Sequence, residues 1–315
     1  MIEVKNLTKR YGTHIAVNNI SFRVDEGEIV GFLGPNGAGK TTTMNIITGY
    51  ISATSGDVAV NGFDIVDEPE KAKQHIGYMP DNPPLYLDML VTEYLSFVCD
   101  IKGVRERNKK RIISEIIETV RLQEVQNRLI KNLSKGYKQR VGLAQALISN
   151  PKVIILDEPT VGLDPKQIIE MRDVIKDLKN KHTVILSSHI LSEVSMICDR
   201  VMIINRGNIV ASDSPEKLSA NLTSGHQMLV RVKGKKEDIV TALNQEKRFT
   251  SVQLETSREA GSFDVTIFGK EGDDIREVLF QTLAKANLPI LLMKSLDMTL
   301  EDIFLQFTAE GGDKA

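Results

Sequence analysis

The octet GPNGAGKT at positions 34–41 limits the fold of this chain more than any other stretch. It follows an apolar run, Glu28–Leu33, and precedes KTTTMNIITG, whose spacing is helical and whose Gly49 stands where a helix would end. A strand that passes into a helix through glycines belongs to an α/β layer structure, which carries its ligand loops at the C-terminal ends of parallel strands. Gly34, Gly37 and Gly39 allow backbone N–H groups to wrap an anionic group, and the helix points its positive end at the same place. Lys40 is spaced to reach the β- and γ-phosphates of a nucleotide, and Thr41 to ligate Mg²⁺. The candidate nucleotide contacts are therefore Gly34, Pro35, Asn36, Gly37, Ala38, Gly39, Lys40, Thr41 and Thr42.

A second acidic motif completes the chemistry. In VIILDEPT the apolar residues predict a buried strand over Val153–Leu156, with Asp157 emerging at its C-terminal end. Asp157 is placed to hold Mg²⁺ through water, and Glu158 to act as general base on an attacking water. Thr183–Ser187 reads as another parallel strand, separated from the first by a helix over about 166–179. Residues 91–130 are instead long, periodic and helical, with Ile112, Ile113, Ile116, Ile117 and Val120 in one stripe. They read as a helical subdomain, extending to about residue 150, inserted in the α/β core.

At 315 residues the chain is long for one domain, and its character changes near residue 220, in LSANLTSGH. Residues 1–219 form the α/β unit. Residues 220–315 predict strand 227–233, helix 235–245, strands 250–256 and 262–268, helix 272–286 and strand 289–294. That order, βαββαβ, points to a small ferredoxin-like α+β domain, with a final amphipathic segment, TLEDIFLQFT, at 299–308. Net charge is −2, and the second part carries 12 Lys and Arg against 15 Asp and Glu, so nucleic acid is not an expected partner. Phe249, Phe263, Phe268 and Phe280 read as core. Lys102, Arg105, Arg107, Lys109, Lys110 and Arg111 read as a solvated basic face, with anionic lipid headgroups as the alternative. Cys99 and Cys198 follow no metal or disulfide spacing, and no run is apolar for the roughly 20 residues that span a bilayer. The expected location is the cytoplasm.

LSKGYKQR at 133–140 makes the reading specific. It resembles the signature loop of ATP-binding-cassette (ABC) ATPases, usually LSGGQ, and the family pattern extends over residues 1–215. The resemblance implies that Ser134, Lys135, Gly136 and Tyr137 act in trans, on ATP held by a second subunit. It implies that Tyr11 stacks on adenine, that Asp164 in GLDP is a dimer contact, and that His189 in SSH contacts the γ-phosphate. It implies ATP and Mg²⁺ as ligands and a homodimer or a heterodimer with a second ATPase subunit. The second domain, IGYMPDNPPLY and LSKGYKQR together resemble the gliding-motility or multidrug-type branch of ABC-2-type exporters. Partners would then be ABC-2-type transmembrane permease subunits, holding the chain on the inner face of the cell membrane. The other readings are a non-transport ABC ATPase and a regulatory module with weak turnover. DNA-repair types need a long coiled-coil insertion, for which residues 91–130 are too short, and translation-factor types usually carry two cassettes.

One position departs from the family pattern. Where that pattern has Gln after a strand, this chain has Asp81, a charged and harder Mg²⁺ ligand. Asp81 is read as a working substitute at the catalytic site. Asp81→Gln is accordingly expected to change the steady-state ATPase rate or its Mg²⁺ dependence, and identical values in both assays would make the position incidental.

Overall fold

The structure, a computed structural model, describes residues 1–222, 227–257, 259–270 and 274–295. They divide into two compact units that part at residues 215–216. In the first unit, β1 (Ile2–Tyr11) and β2 (His14–Val24) form one long antiparallel hairpin, although the strand pattern of the sequence marks only residues 2–7 and 20–24. β3 (Ile29–Leu33) leads into α1 (Lys40–Ile47); β4 (Ser55–Val60), β5 (Phe63–Asp64), α2 (Pro69–Gln74) and β6 (Ile76–Met79) follow. The helical stretch is two helices, α3 (Val91–Ile101) and α4 (Glu106–Thr119), broken at Gly103. Then come α5 (Lys135–Leu147), β7 (Val153–Leu156), α6 (Pro165–Leu178), β8 (Thr183–Ser188), α7 (Leu191–Ser195), β9 (Arg200–Asn205) and β10 (Asn208–Asp213).

Two sheets build this unit. One is antiparallel, ordered β2-β1-β4-β5; the other is ordered β10-β9-β3-β8-β7-β6, parallel throughout except at β10. All five residues of β3 and all four of β7 are buried, because layers cover both faces of the parallel sheet. Met44, Ile46 and Ile47 of α1 share one core with Ile2, Val4 and Val58 on one side and Phe32, Ile155 and Ile185 on the other. α6 starts where its sequence says it should: Asp164 caps it by accepting from Gln167 N–H at 2.9 Å, and Pro165 fills the first turn.

The basic cluster is not one solvated face. Lys109 is buried and paired with Asp100 and Glu106, Lys102 donates to Gln145 O and Ile148 O at the end of α5, and Arg111 pairs with Glu115. Pairing within three to nine residues neutralises charges that the sequence pattern alone leaves in water. Both cysteines are buried, and burial pushes each thiol's pKa up.

α8 (Pro215–Leu222) precedes β11 (Gln227–Lys233), α9 (Lys236–Asn244), β12 (Phe249–Thr256), β13 (Ser262–Gly269), α10 (Arg276–Lys285) and β14 (Ile290–Ser295). The four strands pair antiparallel in the order β12-β13-β11-β14, the split βαβ arrangement of a ferredoxin-like fold. Val230, Val232, Val265 and Ile267 pack under Ile239, Leu243, Leu279 and Leu283 of the two helices. Phe249 and Phe263 pack against this core, but Phe280 is 58% exposed: α10 turns Leu279 and Leu283, one turn apart, inward, and Phe280 lies about 100° round the helix from Leu279. The segment TLEDIFLQFT lies outside the described residues. Among the described residues no helix is long and apolar enough to cross a membrane.

Arg231 ties β11 to β13. Its Nε and Nη2 meet Asp264 Oδ1 and Oδ2 at 2.7 and 2.9 Å, and its Nη1 meets Glu259 at 2.7 Å. The hydrogen bonds from Arg231 lower the pKa of Asp264 from its ordinary 3.8. A depressed carboxylate contributes stability above its unfolded pKa and loses it as pH falls through the folded one. Arg231→Met should therefore reduce hydrogen-exchange protection of β11 and β13 at pH 7, and the difference from wild type should shrink as the pH falls below 3.8.

Candidate functional site

The parallel register places the three functional strand ends side by side. β3 runs against β8 up to Leu33↔Ser188, and β7 against β8 up to Leu156↔Leu186. An open cavity of about 450 Å³ lies beyond them, lined by Asn36–Thr42, Asp81, Glu158 and His189, with Tyr11 and His14 at its edge. The loop wraps because of its glycines. Gly39 has φ 108°, and a Cβ there would stand 2.5 Å from Ala16 O.

Inside this cavity the polar groups form one network. Lys40, buried, directs its ammonium to Gly34 O at 2.7 Å, Pro35 O at 3.3 Å and Glu158 Oε1 at 3.3 Å. Glu158 Oε2 lies 2.9 Å from His189 Nδ1, which must donate because a carboxylate only accepts. Thr41 Oγ1 donates to Asp157 Oδ1 at 3.2 Å. Asp157 is buried behind the cavity wall; burial pushes its pKa up, and hydrogen bonds from Ser187 and Thr41 oppose that rise. A hydroxyl beside a carboxylate suits Mg²⁺, which takes few protein ligands and fills its shell with water and phosphate oxygens.

Ser134–Tyr137 and Asp164 are not in this cavity. Ser134 caps α5, accepting from Tyr137 N–H at 3.4 Å, and Gln167 Nε2 also donates to it at 3.4 Å. Gly136, Tyr137 and Asp164 line a separate hollow with Arg140, Lys166, Gln167 and Glu170. The guanidinium of Arg140 lies over the Tyr137 ring, 5.6 Å from its centroid, and pairs with Glu170. Lys135 approaches Gly162, where a Cβ would meet its Nζ. Within one chain the expected residues therefore form two groups.

Comparison with known proteins agrees with this architecture. Residues 17–161 match the family model described as ABC transporter. The ABC transporter ATP-binding protein YhcH of Bacillus subtilis (strain 168) is 36% identical over 98% of this chain and 96% of its own length. The chain belongs to the ABC transporter ATP-binding proteins. Linearmycin resistance ATP-binding protein LnrL of the same organism is 31% identical over 98% of both chains. A dimeric bacterial ABC transporter cassette matches with a TM-score of 0.62 and 27% identity, over 68% of this chain and 98% of that one. This ABC ATPase is thus the ATP-binding and ATP-hydrolysing subunit of a transporter; such subunits dimerise and work with transmembrane permease subunits.

Three residues that the sequence did not single out make hydrogen bonds to residues of the two groups. Gln139, almost fully buried on α5, donates from Nε2 to Asp81 O at 2.8 Å, and its Oε1 is buried with no hydrogen-bond partner. Gln167 joins the Ser134 loop to α6. Ser187 bonds to both acidic residues. None stands in a spacing rule; each is found only when two distant strands or helices are brought together. Gly39→Ala should preserve the far-ultraviolet circular dichroism spectrum yet weaken ATP binding on the order of 100-fold, because strain and the clash with Ala16 O close the loop. Equilibrium titration with a fluorescent ATP analogue measures it.

Proposed function

We propose that this ABC ATPase is the energising subunit of an exporter with an ABC-2-type permease, working as a head-to-tail dimer of two copies. The observation that carries the dimer is the separation of the two residue groups: Lys40, Glu158 and His189 surround one cavity, and Ser134 and Gly136 stand outside it. A chain that carries both groups intact can complete two sites when two copies meet antiparallel. The exporter reading is supported by the likeness to the linearmycin resistance protein and by the βαββαβ unit after the cassette. An exposed groove of Pro84, Leu85, Tyr86, Phe97 and Ile101, between the Asp81 loop and α3, offers the permease an apolar seat on the cytoplasmic face of the membrane.

In this reading Tyr11 stacks on adenine, and residues 34–42 hold the phosphates. Lys40 turns from Glu158 to the γ-phosphate. Bound through Thr41 and Asp157, Mg²⁺ would neutralise charge on the β- and γ-phosphate oxygens. Glu158, released from Lys40, orients the attacking water and takes its proton, and His189 keeps the carboxylate aimed. Asp81 faces the same cavity and stands in for the family's amide. Ser134 and Gly136 of the second copy close over the phosphate, so ATP favours the closed dimer and hydrolysis releases it.

Glu158 thus has two roles, as base and as the anion that competes with phosphate for Lys40. Glu158→Gln should abolish steady-state turnover while tightening ATP binding by roughly tenfold, since it removes a negative charge 3.3 Å from the ammonium. Turnover that survives Glu158→Gln, measured as phosphate release, overturns the assignment.

A further inference from the structure

β8 reaches the site with Ser187, Ser188 and His189 in succession, and two of these act on Glu158 from opposite ends. His189 meets its carboxylate. Ser187, with no solvent exposure, meets its backbone: Glu158 N–H donates to Ser187 Oγ at 2.9 Å. The same hydroxyl donates to Asp157 Oδ1 at 2.5 Å. Ser188 between them is engaged elsewhere, with Oγ accepting from Ile190 N–H at 2.9 Å. A single buried hydroxyl therefore bridges two neighbouring carboxylate residues whose side chains go to different partners.

The backbone explains why a bridge is needed. β7 and β8 stay in register up to Leu156↔Leu186, and beyond that pair β7 leaves the sheet. Glu158 makes the exit with φ 49°, in the left-handed region. That conformation is strained for a residue with a side chain, whose Cβ crowds the carbonyl oxygen. A buried N–H that has left its ladder also needs a new acceptor. Ser187 Oγ supplies it, and so offsets the cost of the turn that points Glu158 at Lys40 and His189. Its O–H fixes Asp157 at the same time, donating to the same Oδ1 that accepts from Thr41.

We infer that Ser187 is a positioning residue that sets the mutual aim of the two acids, Asp157 toward Thr41 and the cation, Glu158 toward the attacking water. Ser187 itself touches neither nucleotide nor water. This rests on the roles given above to Asp157 and Glu158. Without the hydroxyl, Glu158 relaxes toward the right-handed region and Asp157 keeps only the longer of its two hydroxyl donors.

Ser187→Ala removes one oxygen from the interior and leaves the loop at 34–42 untouched. Its kcat should fall roughly 10- to 100-fold, the range for losing a partner that orients a metal ligand, and the Mg²⁺ concentration that half-saturates ATP binding should rise by a similar factor. ATP binding in EDTA should stay close to wild type, the melting temperature should fall by a few degrees as a buried N–H loses its acceptor, and Ser187→Thr, which keeps the hydroxyl, should recover most of the rate. Unchanged kcat and Mg²⁺ dependence in Ser187→Ala overturns the inference. So does a loss of rate matched by an equal loss of Mg²⁺-free binding, which marks a purely structural role. Mg²⁺-dependent binding is read without turnover. A wild-type chain lacking Glu158-dependent hydrolysis would therefore sink the catalytic reading while this test still stands.

Discussion

Parallel pairing of β3, β8 and β7 is the constraint from which the site follows. Because Leu33 pairs with Ser188 and Leu156 with Leu186, the loop after β3, the acids after β7 and His189 after β8 end at one level. No side chain could bring them together if one strand slipped, since a one-residue shift turns every side chain to the opposite face. The strands hold register because they are apolar on both faces, packed between α1 on one side and helices such as α5 and α7 on the other. Asp81 belongs to the same arrangement: β6 pairs with β7, and Gly142 of α5 lets Pro83 approach to a distance that a Cβ would fill.

Charge then decides how the site can work. Asp81 and Glu158 line the cavity, Asp157 lies buried behind its wall beside Thr41, and Lys40 is the buried ammonium among them. Carboxylates so close to the position of a polyphosphate are favourable only with added positive charge, which a divalent cation between Thr41 and Asp157 would supply. In the proposed mechanism, Glu158 would occupy Lys40 until phosphate competes for it, and only then would the carboxylate be free to act on water, with His189, 2.9 Å from it, keeping it aimed.

How much of this the sequence reveals depends on the range of the interactions. GPNGAGKT, DEPT and SSH are legible because each encodes a strand end and a turn within a few residues. The ferredoxin-like order of the second unit is legible for the same reason, in alternating periods of 2 and 3.6. Gln139, Gln167 and Ser187 are invisible, because their partners lie 58, 33 and 29–30 residues away and no spacing rule connects them. Lys109 misleads in the other direction: a run of basic residues suggests solvent, but Lys109 is largely covered and paired with the exposed Asp100 and Glu106. The full length of the β1–β2 hairpin is not legible in the sequence, because its register shifts near Leu7 and Lys9 interrupt the alternation that marks a strand. Phe280 shows that an aromatic residue on a short helix can be surplus to the core it flanks.

The central claim is that each ATP site draws its residues from two chains, and subunit mixing tests it directly. Lys40→Ala disables the cavity of one copy, and Ser134→Ala disables the loop it would lend to its partner. Each variant alone should be nearly inactive as an ATPase. Mixed, they form a heterodimer in which the intact cavity of the Ser134→Ala chain meets the intact loop of the Lys40→Ala chain, and phosphate release should recover. Rates that merely sum those of the separate variants, at concentrations where the two chains associate, would contradict the account.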